Sequence, residues 1–355
     1  MNISTIRLDM RITIVSEVYS PRIGGMERYA EDMAMYWSEQ GIAVDIITDT
    51  QDEGHQPTTQ PYSVRRGLSF TEKVRAFKAS ETIFFVGVTI ENILAAYLAG
   101  KRAVISHHGV YIYNQGLSHS IKGMIKRLLC RPMNNISVSK FVAREVGGRQ
   151  KVILNGYRDD LFFPPQHKPN PRTFIFCGRL VPDKGVDLLI SAFAKVHQTY
   201  PDASLAIIGD GCERDNLTSL VNQHNLNDRV TFFGARALPE VAEQLRQNAC
   251  LVVPSRWNEP FGIVALEGLA SGCEVIATAQ GGLPEALSGH GRIVAPDADA
   301  LAAAMRQVCE GKQSRQKAEV SKYLQSRRAR CVAAEYFAYL FSSASQHDVR
   351  QDLVK

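Results

Sequence analysis

Two series of short apolar strands alternating with helical patterns, parted by one proline-rich break, constrain this chain more than any other feature. Apolar runs of strand length that keep returning between helices describe parallel sheets, because parallel neighbours need a crossover helix rather than a tight hairpin. The first series covers residues 10–166 and opens with the strand Arg11–Val15 (RITIV), a Gly-Gly turn and a helix from about Met26 to Gln40. Further strands are predicted at Ala43–Thr48, Thr82–Val86, Ala103–Ser106, Asn135–Val138 and Val152–Leu154, and residues 50–61 read as a polar loop. The segment Pro164–Pro171 (PPQHKPNP) has no apolar periodicity and reads as a linker. The second series has strands at Thr173–Cys177, Ser204–Ile208, Val230–Phe233, Cys250–Val253, Glu274–Ala277 and Arg292–Val294. Its helices include one from Lys184 to about His197 and one near Glu240–Arg246, and residues 298–345 are expected to be helical throughout. A length of 355 residues suits two such domains, each with its own core.

Several classes are excluded at once. No apolar run approaches the ~18 residues of a membrane span, and MNISTIRLD is neither a signal peptide nor a helical anchor. Residues 1–9 are an extension before the strand that Met10 opens, or Met10 is the start. The seven cysteines are scattered without metal-ligand spacing, which predicts reduced thiols in a cytoplasmic protein. The net charge of +5 is unevenly spread: residues 60–158 hold sixteen Lys and Arg against Glu72, Glu81, Glu91 and Glu145. Such a band fits an anionic partner, whether phospholipid, phosphorylated glycolipid or nucleic acid, or else a solvated surface.

The chemistry concentrates at strand ends. After Cys250–Val253 comes Pro254-Ser255-Arg256-Trp257-Asn258-Glu259-Pro260-Phe261-Gly262-Ile263, with a helix expected from near Phe261 and Glu267 about two turns into it. A loop at the carboxyl edge of a parallel strand is where open α/β sheets bind ligands, and the first amides of a helix suit phosphate. Gly262 lets a ligand approach the backbone, and the two carboxylates, about 12 Å apart along the axis, suit a long ligand held at both ends. Two solvated glutamates on an amphipathic helix are the bland alternative.

Gly178-Arg179-Leu180-Val181-Pro182-Asp183-Lys184-Gly185 follows another strand, and its two cations are placed to clamp a diphosphate. A lysine opening a helix opposes the macrodipole, which a bound anion would explain. Gly24-Gly25, Gly209-Asp210-Gly211 and Gly281-Gly282 are glycine turns between strand and helix, and a plain tight turn fits each equally well. No G-x-G-x-x-G fingerprint follows Arg11–Val15 or Phe174–Cys177, which disfavours a nicotinamide dehydrogenase. His107-His108-Gly109 ends a further strand. In Ser118–Arg131, Ile121, Met124, Ile125, Leu128 and Leu129 share one helical face, with Lys122, Lys126 and Arg127 largely off it. Core packing with a solvated basic face is the default for that helix, and an interfacial helix on anionic lipid is the alternative.

Taken together, the Glu259-Pro260-Phe261-Gly262 core with Glu267, the Gly-Arg-x4-Lys-Gly loop, Gly24-Gly25-Met26-Glu27-Arg28 and Asn155-Gly156…Phe163-Pro164 resemble retaining GT-B glycosyltransferases of glycosyltransferase family 4 over residues 10–345. Arg158 stands where the family usually has Asp. The resemblance implies an α/β fold of two Rossmann-like parallel-sheet domains facing a central cleft. Their expected extents are 10–166, with a returning helix at about 332–345, and 172–330. It implies that Glu267 holds the nucleotide ribose, and that Glu259 with the Phe261–Ile263 backbone holds sugar and diphosphate. Arg179 and Lys184 would stabilise the departing nucleoside diphosphate, without a metal or other cofactor. His108, with His107 as the fallback, would contact the transferred sugar, and Gly24, Gly25, Gly209 and Asp210 would line the donor site. Expected partners are a nucleotide diphosphate sugar, UDP-linked, and a glycan or glycolipid acceptor such as lipopolysaccharide core. The chain is then expected in the cytoplasm, with peripheral contact to an anionic membrane and no nucleic acid. A GT-B nucleotide-sugar epimerase and a non-catalytic anion-binding module are the competing readings.

Overall fold

The computed structural model describes residues 10–20, 25–51, 60–110, 117–312, 314 and 317–342. The chain divides into two compact units, residues up to Leu154 together with those from Arg330 onward, and Asn155–Ala329. Gly24, residues 1–9, most of the 50–61 loop and the end of the 298–345 segment lie outside the described residues.

The first unit runs β1 (Arg11–Ser16), α1 (Gly25–Glu39), β2 (Ala43–Thr48), β3 (Ser63–Arg66), α2 (Phe70–Lys78), β4 (Thr82–Val86), α3 (Ile90–Ala99), β5 (Arg102–His107), α4 (Leu117–Cys130), β6 (Asn134–Ser137), α5 (Lys140–Val146) and β7 (Gln150–Val152). Among the described residues its strands form one parallel sheet in the order β3-β2-β1-β4-β5-β6-β7. The central strand β4 (TIFFV) is buried along its whole length, as a strand covered on both faces must be. Its alternation assigns Phe84 to a core shared with α1 and Phe85 to a core shared with α2 and α3. The terminal helix, described below as α13, completes the first of these cores. Its Val332, Ala333, Tyr336 and Leu340 pack there with Trp37, whose indole N–H donates to the Ala333 carbonyl at 3.3 Å. Burying a side chain of that size stabilises the unit by about 2–3 kcal/mol.

The second unit runs β8 (Thr173–Cys177), α6 (Val186–His197), β9 (Ser204–Ile208), α7 (Arg214–Gln223), β10 (Val230–Gly234), α8 (Leu238–Gln247), β11 (Cys250–Val253), α9 (Ile263–Ala270), β12 (Glu274–Thr278), α10 (Leu283–Leu287), β13 (Arg292–Val294), α11 (Ala298–Cys309) and α12 (Lys317–Ser326), after which α13 is Ala329–Ser342. Its described strands form a parallel sheet ordered β10-β9-β8-β11-β12-β13. One face carries α6, α7 and α11 over Phe174, Phe176, Val252 and Ile276. On the other, α9 approaches β11 so closely that a Cβ on Gly268 would lie 2.5 Å from Leu251 Cδ2. In each sheet the strand order reverses direction at a central pair, β1/β4 and β8/β11, and the loops leaving such a pair diverge to open a ligand crevice.

Five expectations need correction. The 298–345 segment is three helices, broken around Glu310–Gly311 and again before Ala329, so it is not helical throughout. The strand expected at Val152–Leu154 lies two residues earlier, and the edge strand β3 was not foreseen, because its SVRR pattern alternates exposed and half-buried residues without an apolar run. Lys184 belongs to a single 3-10 turn, Pro182–Lys184, and α6 begins only after Gly185 at φ +66°. The motif helix likewise starts at Ile263, because Gly262 at φ +90° cannot belong to it. Finally, α4 does not bury its apolar face: Ile121, Met124, Ile125 and Leu128 are exposed, while Gly123 and Cys130 face inward. All seven cysteines are free thiols. Among the described residues no helix is long and apolar enough to cross a membrane.

Candidate functional site

In the second unit, β8 and β11 pair as neighbours, with Phe174 opposite Cys250, so the loops they release emerge side by side. The β8 loop, Gly178–Gly185, is held from two directions. Leu180 N donates to the Asp210 carbonyl at 2.9 Å, and a Cβ at Gly209 (φ +134°) would sit 1.8 Å from the Gly178 oxygen. Gly209 is therefore fixed by a backbone approach that tolerates no side chain, and Asp210 follows it beside Gly178-Arg179. On the other side, Arg256 N and Trp257 N donate to the Asp183 carbonyl at 2.8 and 3.3 Å. The Arg256 guanidinium then takes both oxygens of Asp187, at 2.5 and 2.6 Å. Burial raises the Asp187 pKa, but the arginine more than offsets it, and the carboxyl ends below its ordinary value.

This strapping brings Lys184 to Glu259. The Lys184 ammonium forms an ion pair with Glu259 Oε1, and Ser255 Oγ donates to the same oxygen at 2.8 Å. The side chains are 20% and 11% exposed, so the pair is largely withdrawn from water yet open at one edge. Ser255 is itself held, its carbonyl accepting from Thr278 Oγ1 at 2.6 Å. The glycine turn after β12 clamps the loop from outside: Gly282 N donates to the Glu259 carbonyl at 2.7 Å and Gly281 N to Asn258 Oδ1 at 3.1 Å. Gly281 stands at φ +60° with room for no Cβ, which would lie 2.2 Å from the Glu259 oxygen.

Beyond Glu259, Phe261 is buried in the core and Gly262 is the N-cap of α9, with no side chain bonding the first amides. The Ala265 amide turns back to the Gly262 carbonyl at 3.0 Å, and Ile263 opens the helix. With no side chain bonding them, the first amides of this helix are left available to an anion. Glu267 lies in the same helix, buried, near the end of β8. After burial itself, its charge is the next cause that pushes the Cys177 thiol up. Arg179 is exposed in the adjacent loop and makes no ion pair among the described residues. The unit thus gathers Lys184, Glu259, Gly262, Ile263, Gly209 and Asp210 around paired loops, with Arg179 and Glu267 on the elements that flank them. A cavity of about 720 Å³ lies elsewhere in the same unit, between Pro164–Pro171 and α12. It includes Ala249 and Glu274, at the amino ends of β11 and β12, and none of the residues above. The triplet Asp297-Ala298-Asp299 is a helix cap: Asp297 Oδ1 accepts from Asp299 N and Ala300 N at 3.0 and 2.8 Å.

In the first unit the two histidines separate. His107 is fully buried, and its Nε2 donates to Asn135 Oδ1 at 2.8 Å. Burial drives it down to about 4, against the stabilising Asn135 bond. His108, beyond the strand end, is partly exposed, with Nε2 3.0 Å from Ser106 Oγ. That hydroxyl is in turn 3.0 Å from the Tyr336 phenol of α13, and the Tyr29 ring stands edge-on to His108 at 4.3 Å. Burial, then the neighbouring His107, lowers His108 to about 3, so both imidazoles are neutral at physiological pH. Gly25 opens α1, following β1. Sequence reasoning missed Ser255, although it lies inside the motif loop. It also missed Ser106 and Tyr336, because nothing local to residue 336 points to a strand 230 residues earlier.

The profile of the Glycosyl transferases group 1 family matches residues 157–324, and that of Glycosyltransferase Family 4 matches residues 23–161. An uncharacterized glycosyltransferase of Methanocaldococcus jannaschii is 29% identical over 77% of this chain and 80% of its own. Among solved structures, Anabaena Alr3699/HepE in complex with UDP superposes with a TM-score of 0.78 at 20% identity, covering 94% of this chain and all of that one. The lipopolysaccharide outer core galactosyltransferase WaaB, in its apo form, gives 0.70 at 16% identity over 94% of this chain and 100% of its own. Identities this low carry the fold alone.

Proposed function

For this chain, a glycosyltransferase of GT-B fold related to the Glycosyl transferases group 1 and Glycosyltransferase Family 4 proteins, we propose the retaining transfer of a hexose or N-acetylhexosamine from a UDP-sugar to a hydroxyl of a glycan or glycolipid such as lipopolysaccharide core. The observation that carries the reading is the Lys184–Glu259–Ser255 cluster beside the uncapped start of α9. The donor diphosphate takes the amides at Phe261–Ile263 and the ammonium of Lys184, with the exposed Arg179 closing over it. Glu267 holds the ribose hydroxyls, Glu259 the sugar hydroxyls, and Gly209 and Asp210 complete the donor site in this unit.

In the reaction the anomeric carbon–oxygen bond to the diphosphate breaks while a bond to the acceptor oxygen forms on the same face. The acceptor proton passes to the departing diphosphate oxygen, so no protein nucleophile is required. Lys184 and Arg179 stabilise the charge that develops there. His108, neutral across the working range, serves the transferred sugar as a hydrogen-bonding group rather than as an acid. The uridine donor and the acceptor class are carried over as part of this proposal from two proteins of the same fold, HepE in complex with UDP and the lipopolysaccharide outer core galactosyltransferase WaaB. A lipid-linked acceptor places the protein at the inner face of the cytoplasmic membrane, as a peripheral protein.

Thermal unfolding with uridine and guanosine diphosphates, on wild type and Glu267→Ala, tests the site. A ligand that binds only the folded chain at a hundredfold excess over its Kd adds about 2.7 kcal/mol. Uridine diphosphate is expected to raise the wild-type midpoint and to lose that effect in the variant. If no nucleotide moves the wild type at millimolar concentration, the donor-site reading fails. Donor hydrolysed or epimerised without any acceptor would instead place the chemistry outside group transfer.

A further inference from the structure

The outward face of α3 and α4 is not explained by donor chemistry. On α4, Ile121, Met124, Ile125 and Leu128 recur at helical spacing and point away from the sheet, Met124 being 61% and Leu128 64% exposed. On α3, Leu94, Tyr97 and Leu98 repeat the pattern, with Leu98 62% exposed. The Tyr97 phenol donates to the Leu129 carbonyl at 2.6 Å, which ties the two helices edge to edge and makes the two stripes one surface. The inward faces, with Ile93, Ala96, Ala99 and Cys130, already cover the sheet core, so the outer stripe has no role in it. A soluble chain rarely leaves so many large apolar side chains contiguous and uncovered.

The charge around this surface decides what covers it. Residues 90–151 contain ten Lys and Arg and two acids, Glu91 and Glu145. Lys101, Lys122 and Arg131 are exposed at the ends and flank of the stripe. Glu91, the only acid on either helix, pairs with Lys73 at 3.0 Å. An apolar face bordered by cations that make no ion pair among the described residues, with a tyrosine among its apolar residues, fits the headgroup and upper acyl region of a bilayer. A second copy of this chain would bring the same cations against themselves.

We propose that the α3–α4 face docks the protein on anionic phospholipid. Met124, Leu128 and Leu98 enter the acyl boundary while Lys101, Lys122 and Arg131 meet lipid phosphates. This goes beyond the donor-site reading and does not depend on it: a surface that binds lipid needs no nucleotide, and a nucleotide site needs no lipid.

Flotation of the full chain tests it, with vesicles of phosphatidylcholine alone and of phosphatidylcholine with phosphatidylglycerol, at low and high salt. The wild type is expected to float with phosphatidylglycerol vesicles, less so at high salt, and not with phosphatidylcholine alone. Met124→Ser with Leu128→Ser is expected to weaken binding roughly tenfold or more, and Lys122→Glu to remove much of the salt-sensitive part. Ile293→Ser, an exposed apolar residue of the other unit, should float like wild type. The uridine diphosphate shift should persist in every variant, which separates failure here from failure of the donor site. Three outcomes would overturn the proposal: no flotation at low salt, equal flotation on both vesicles, or a double variant that binds as wild type does. So would a wild-type dimer without vesicle affinity that the double variant dissolves, since the occupant would then be a second copy.

Discussion

Glu259 holds two positions at once. Its carboxylate neutralises Lys184 in the ligand-free protein, yet the same ammonium meets the loop that leads into the amides proposed to hold a diphosphate. A phosphate arriving there competes with a carboxylate already in place, so removing the carboxylate's charge should release the lysine. Glu259→Gln is accordingly expected to tighten uridine diphosphate binding several-fold while lowering turnover about a hundredfold. Lys184→Met should weaken binding and turnover together, leaving a buried carboxylate without its cation. Calorimetric titration beside a single-turnover assay reads both, and weaker nucleotide binding in Glu259→Gln would show that the pair acts as one unit. The acidic and basic members of this site were legible in the sequence because each sits in a loop closing an apolar strand. Their mutual pairing was not, since Lys184 and Glu259 are 75 residues apart and only the adjacency of β8 and β11 brings them together.

At the scale of elements, the geometry of the donor loops rests on backbone that accepts no side chain. Gly185 ends the Pro182–Lys184 turn at φ +66°, and a Cβ there would lie 2.2 Å from the Pro254 oxygen, so the β8 loop would have to withdraw from the β11 loop. Gly234 at the end of β10 has a similar φ of +72° with nothing within 4 Å of its Cβ. Gly234→Ala should therefore meet conformational strain alone, about 1 kcal/mol, with activity near wild type. Gly185→Ala should cost more than twice that and lower activity at least tenfold, because Lys184 moves with the loop. Equal melting points and equal rates for the two variants would show that the close approach does not matter. Apart from β3 and the breaks in the last helical segment, the strands and helices given bounds from apolar runs lie within a residue or two of those bounds. The two places where a helix begins late, after Gly185 and after Gly262, could not be seen, because a glycine permits positive φ without demanding it. For α4 the sequence announced an apolar stripe, but a stripe does not say whether a sheet or something outside the molecule lies beyond it.

For the molecule as a whole, the two histidines set an acid limit. Both are neutral when folded, His107 near 4 and His108 near 3, whereas an unfolded histidine titrates near 6.5. Below that value the unfolded chain binds protons that the folded chain refuses, so stability falls as the pH drops from 7 toward 4. His107 alone accounts for a loss of about 2 kcal/mol by pH 5. The paired carboxylates, such as Asp187 beside Arg256, lie below their ordinary range and contribute their own loss only at lower pH. Denaturant unfolding at pH 7 and pH 5 should show the difference, and His107→Gln, which removes one of the two titrating rings, should reduce it by about half. A wild type equally stable at both values would contradict the buried, neutral state. The alternating pattern made two parallel sheets readable at this scale. The chain's return to its first sheet carries a consequence for synthesis. The second unit is one unbroken span, but Trp37 is sealed only when Ala333 arrives, about three hundred residues later. At ribosomal speeds that interval is on the order of ten seconds or more. During it the earlier unit waits with an open hydrophobic face while the later one can close, so the part begun first is finished last.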